Sequence, residues 1–149
     1  MSKKSPRIAA LIEGCRGREL DAHYLGYFEC FNRGLYYEAH DVLEELWLAD
    51  RHGPNGAFFK GLIQFAGAFV HMQKHTPARP RLKPAAALLR LALANFESYP
   101  TIHEHLSIDA LRLDATDYLR RLETGEFEKN PFEDDPPPRL ELRTTANRD

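Results

Sequence analysis

The stretch AFFKGLIQFAGAFVHMQKH, residues 57–75, is the strongest constraint on what this chain can fold into. It lies between the turn cluster RHGPNG (51–56) and the proline-rich TPARPRLKP (76–84). Between those breaks, its apolar residues fall on nearly every side of a helix. Such a helix is stable only when other elements cover it. No window of the chain approaches the ~20 apolar residues that a bilayer crossing needs. The cover is therefore expected from protein.

The rest of the chain supplies covering helices. Leu20, Tyr24, Phe28 and Phe31 recur at helical spacing and predict a helix over 20–32, with Gly34 just past its end. A second helix is predicted over 35–49. Ala39, Val42, Leu43, Leu46 and Trp47 form its apolar side, and Asp41 and Glu45 are placed on its solvent side. AAALLRLALANFESY predicts a further helix that starts after Pro84 and ends before Pro100. The last has Ser107 as N-cap, an apolar stripe through Ile108, Leu111, Ala115, Tyr118, Leu119 and Leu122, and Gly125 as its stop. No strand signal, internal repeat or domain linker is visible. The expected fold is all-α, a compact single-domain bundle of about five helices around one central, largely buried helix. The bundle spans 20–125, after a basic, partly helical lead-in (1–19) and before a proline-rich acidic tail (126–149). DDPPP runs extended in that tail. Residues 143–149 are expected to be disordered, and PRLEL either to lie against the body or to share that disorder.

Charge and cysteine usage narrow the class. The net charge is −2 and the pI about 6.4, without the basic excess of a duplex-binding domain. Lys3-Lys4 and Arg79–Lys83 are short clusters in a tail and a loop, read as solvated charge. Cys15 and Cys30 have no CxxC spacing and read as reduced thiols. The N-terminal segment is a poor signal peptide. These features point to a cytoplasmic protein that binds neither nucleic acid nor membrane. A small molecule, a protein partner and a homo-oligomer all stay open. GxGxxG, GxxxxGK[ST] and GxSxG are absent.

Chemistry-bearing residues concentrate on two helices. In YYEAHDVLEELW (36–47), His40, Glu44 and Trp47 share one edge, flanked by Tyr37 and Asp41. On the 57–75 helix, Gln64 and His71 are seven residues apart on one side, with Gly67 and Ala68 between them and His75 one turn beyond. Antiparallel packing of the two helices brings His40 towards His71, and Glu44 towards Gln64 or His71. Three readings follow. The cluster is a packing network in which every member is hydrogen-bonded. It is a divalent metal site, zinc or iron, held by His40, Glu44 and His71, although HExxH and the Glu-x-x-His repeat are absent. Or it is a metal-free pocket, floored by Gly67 and walled by Tyr37 and Trp47, in which Glu44 and His71 are the acid/base pair. A groove for a partner helix is a further alternative. His103, Glu104 and His105 alternate in a loop and read as surface residues that do not converge. His23 and His52 stand alone.

FNRGLYYEAHDVLEELWL (31–48), FFKGLIQFAGAFVH (58–71) and ALLRLALANFESY in that order resemble the bacterial and archaeal family catalogued as domain of unknown function number 309. The resemblance covers about 20–122. It implies a compact all-helical fold with one helix surrounded by the others, and the 57–75 helix fits that place. The family's motif positions fall here on His40, Glu44, Trp47, Gln64 and His71. The resemblance carries no activity with it. One departure stands out. Family members follow the histidine with a short Gly-Asn turn, and this chain has the longer HTPARPRLKP. An altered or partly lost pocket is the expected consequence.

Overall fold

A computed structural model of the chain describes residues 5–15 and 20–143. Six α-helices carry the fold: α1 (Ser5–Leu11), α2 (Ala22–Asn32), α3 (Tyr36–Asp50), α4 (Gly56–Lys74), α5 (Leu82–Phe96) and α6 (Ile108–Thr124). Between α5 and α6 lies a hairpin of two two-residue strands, β1 (Ile102–His103) and β2 (Leu106–Ser107). The architecture is all-α, with α4 at its centre.

α4 is the helix that demanded cover. Phe58, Leu62, Phe65, Ala66, Ala68, Phe69 and Met72 are fully shielded, on several sides of its axis. α3 and α5 flank it. From α2, the Tyr27 hydroxyl donates 2.7 Å to the Leu62 carbonyl, and the Phe31 ring stacks 5.6 Å from Phe65. From α6, Tyr118 meets Phe69 edge-on at 4.9 Å. Each such aromatic pair adds roughly 0.5–1.5 kcal/mol beyond its buried area. Gly61 lets α5 close in, because a Cβ there would stand 2.5 Å from the Phe96 ring.

α3 runs antiparallel to α4, as the short connection implies. Lys74, at the end of α4, lies 5.4 Å from the Tyr37 ring at the start of α3. Lys60, near the start of α4, lies 4.4 Å from the Trp47 ring near the end of α3. α5 is antiparallel to α4 as well: Phe96 packs at Gly61 and Leu88 at Gly67.

The helix boundaries differ from the periodicity in one instructive place. α5 begins at Leu82, so Pro84 sits inside its first turn. The first amide groups of a helix have no partner within it, so proline costs little there. Ser107 accepts from the Ala110 amide and Gly125 closes α6, both as expected.

Three expectations are corrected. The β1–β2 hairpin had no periodic signal, being only two residues per strand. Its turn residues Glu104 and His105 both have positive φ, 47° and 64°, in the sense of a primed two-residue turn. Tertiary bonds hold this unfavoured conformation: the Tyr24 hydroxyl donates 2.6 Å to the Glu104 carbonyl, and Asn55 Nδ2 donates 2.7 Å to the Glu104 carboxylate. His103 Nε2 lies 2.6 Å from Asn55 Oδ1, so His103 and Glu104 do converge, on the α3–α4 loop. His23 is not alone, since its Nε2 lies 3.0 Å from Glu45.

Both ends of the chain reach the core. Ile8 and Ile12 are buried, and Ile12 fills the space that a Cβ on Gly26 would need. At the other end Asn32 holds Leu140 by two bonds, 2.8 Å to its carbonyl and 2.7 Å from its amide. Leu140 is buried, and Leu142 bridges to Leu106. The PRLEL segment is therefore docked. Residues 144–149 lie outside the described residues. Cys30 is buried, and the Cys15 side chain lies outside the described residues.

Candidate functional site

The side of α4 that its neighbours leave open carries Lys60, Ile63, Gln64, Gly67, Val70, His71 and Lys74, which recur at intervals of three and four. A cleft of about 640 Å³ follows this stripe. Tyr37 and His40 of α3 form one bank, and Leu88 and Leu91 of α5, with Arg81 just before it, form the other. The volume is within the range of small-molecule sites.

The cleft brings together five of the side chains singled out in the sequence: Tyr37, His40, Gln64, Gly67 and His71. Gln64 is fixed by Asn95, whose amide donates 2.7 Å to its Oε1. The Tyr37 and His40 rings stack at 6.1 Å. Gly67 admits Leu88 as much as any ligand, since a Cβ there would meet Leu88 Cδ1 at 3.0 Å. Glu44 and Trp47 are half-buried on α3 but do not line the cleft. The cleft ends at Lys60, which stands over the Trp47 ring. Among the described residues, no three His, Cys, Asp or Glu side chains form a group that could hold a metal ion. His40, Glu44 and His71 thus do not assemble as the expected triad, because only the two histidines face the cleft.

Asp41 is the main correction on α3. It was placed on the solvent side, yet it is 1% exposed. α1 packs over that face and sends Arg7 to it. The Arg7 guanidinium donates to Asp41 Oδ2 at 2.5 Å, and His40 Nδ1 lies 3.1 Å from Oδ1. An ionised carboxylate only accepts. Nδ1 therefore carries a proton, and in the neutral tautomer Nε2 is the acceptor.

The cations bring a correction: Arg81, in the cluster read as solvated charge, faces the cleft, and Lys60 and Lys74 join it. Lys60, Lys74 and Arg81 line the cleft, and no carboxylate does. Among the described residues none of the three forms an ion pair. Lys60 and Lys74 lie on the His71 stripe, so helical spacing could have found them. Arg81 comes from the proline-rich segment. His75 Nδ1 accepts the Arg81 backbone N–H at 2.9 Å and fixes where that residue enters. The proline-rich segment after α4 thus adds a cation to the site.

His71 records the resulting field. Its Nδ1 is buried and has no hydrogen-bond partner among the described residues. Burial first, then the charges of Arg81 and Lys74, hold its imidazole below the ordinary value of about 6.5.

Residues 24–80 match the model of the family described as Domain of unknown function (DUF309). This segment is similar to the DUF309 family. No curated protein and no solved structure matches the chain significantly. The DUF309 match runs from α2 through α4 to Pro80, so it covers the α3 bank and the α4 stripe of the cleft and stops just before Arg81.

Two predictions concern stability. Arg7→Met leaves Asp41 buried with a partner fewer and should cost about 1–3 kcal/mol in urea unfolding. The double variant with Asp41→Leu should recover most of that loss, because an apolar pair replaces the ionic one. Equal losses for single and double variants would refute the coupling. For His71, the unfolded chain takes up the proton more readily than the folded one. Stability is then complete above about pH 6.5 and falls as pH drops through the lowered folded value. His71→Phe should flatten the stability–pH curve on the acid side of about pH 6.5. At neutral pH it should match or exceed the parent by about 1 kcal/mol, because no polar atom is left unpartnered. A clear loss at neutral pH would make His71 a packing residue.

Proposed function

We propose that the protein binds a small organic anion in the cleft between α3, α4 and α5. The observation that carries this reading is the lining: the cations Lys60, Lys74 and Arg81 are present beside the His40 and His71 rings, and no carboxylate is. Like charges gathered in a concave site raise the local concentration of the opposite charge. Such a cluster also costs self-repulsion, and a bound anion relieves it. Arg81 suits an oxyanion because its planar fork can bond two oxygens at once. The lowered His71 supports the reading, since an anion beside it would raise its affinity for a proton. Binding should therefore tighten as pH falls through the His71 titration.

Calorimetric titration with inorganic phosphate, citrate and benzoate tests this. At least one should bind, more weakly as salt is raised. Lys74→Gln with Arg81→Gln should lower the affinity by at least tenfold while leaving the melting temperature within a few degrees. Binding of magnesium or of a cationic amine in place of every anion would overturn the proposal.

Hydrolysis of the bound anion is a second reading, and one contact favours it. Asp41 orients His40 so that Nε2 can take a proton from water as the water oxygen attacks an ester carbonyl. The alcohol leaves with a proton drawn back from the imidazolium. This assigns the base to His40 and not to the Glu44–His71 pair. Release of nitrophenol from an anionic nitrophenyl ester should vanish in His40→Gln while binding persists. Equal turnover in both proteins would discard it.

A further inference from the structure

The basic groups are not spread evenly along the cleft. His40, His71, Lys74 and Arg81 gather where α4 ends and α3 begins. The Lys74–Tyr37 contact and the His75–Arg81 bond mark that end. Ile63, Val70, Leu88 and Leu91 line most of the rest, down to Lys60, with Gly67 and the Asn95-bound Gln64 between them. Lys60 is partly satisfied by the Trp47 ring beneath it. From His71 to Lys60 is eleven residues of helix, roughly 16 Å. Leu91 is half exposed on this bank, at 51%, although it is a large apolar side chain. The apolar wall thus continues from the charged end to the far lip.

We infer that the ligand is a soluble amphiphilic anion, with its oxyanion head between Lys74 and Arg81 and a single apolar body along Ile63, Leu88 and Leu91. This rests on the anion reading above and adds the shape of the molecule. A compact anion would satisfy the charged end alone and leave the apolar wall wet. A molecule charged along its length would place oxyanions against leucine and isoleucine and lose their hydration without return. An oxyanion with one apolar tail satisfies both parts. Carboxylate and phosphate heads share the required chemistry.

The test is a chain-length series. Inorganic phosphate and propyl, hexyl, octyl and decyl phosphate are titrated below their micelle concentrations, with the matching alkyl carboxylates alongside. Affinity should rise up to about fourfold per added methylene, the full value for a buried methylene. It should level off once the chain passes Lys60. A rise in either series supports the inference and tells which head is preferred. Leu91→Asn, at a half-exposed position, should reduce the gain per methylene, and Arg81→Gln should weaken every member of the series. Phosphate binding with no dependence on chain length would overturn this inference and leave the anion reading standing. No binding by any member would remove both. Binding only to vesicles containing a phosphate lipid, and not to the dissolved amphiphile, would also overturn it.

Discussion

The whole arrangement depends on covering α4. A helix with phenylalanines and leucines on most of its circumference cannot stand at a surface, and its burial is the largest apolar term available to a chain of this size. α2, α3, α5 and α6 each present aromatic or aliphatic side chains to it. They cannot close the ring completely. The stripe through Gln64, Gly67 and His71 stays open between α3 and α5, and its residues are the polar and small ones of α4. The cleft is thus the gap that a finite number of helices leaves around a central one.

The second determinant is the buried charge of Asp41. It sits beside the cleft, held by Arg7 on one oxygen and by His40 on the other. Its stability contribution is limited, because the Arg7 side chain is 45% exposed and water competes for it. Its structural effect is sharper: it sets which nitrogen of His40 carries the proton. The short helix α1 thereby reaches a site that it does not line.

Much of this was legible in the sequence, for a physical reason in each case. The helices were visible because burial imposes a period on apolar residues. The gathering of Tyr37, His40, Gln64 and His71 followed from antiparallel packing. What escaped notice depended on partners that a helical wheel does not include. Asp41 looks exposed until α1 is placed on it. Arg81 enters the cleft from a segment without periodicity, positioned by a bond from its own backbone to His75. Glu44 lies only about 40° round the helix from His40 and still misses the cleft, because Lys60 closes that end over Trp47. The β1–β2 hairpin has turn residues whose own preferences oppose it, so tertiary bonds account for it, among them those of Tyr24 and Asn55 to Glu104 and of Arg143 to His105.

The docking of Leu140 on Asn32 and of Leu142 on β2 bears on where this protein can be cut. The matched segment 24–80 holds three helices of a core that the remaining chain completes. Ile8 and Ile12 press on α2 from one side of that segment. Phe96, Tyr118 and Leu140 come from the other. A boundary drawn by similarity therefore runs through the middle of a cooperative unit. The recognisable segment is not a part that could be moved to another protein and keep its shape: its central helix would arrive there without half of its cover.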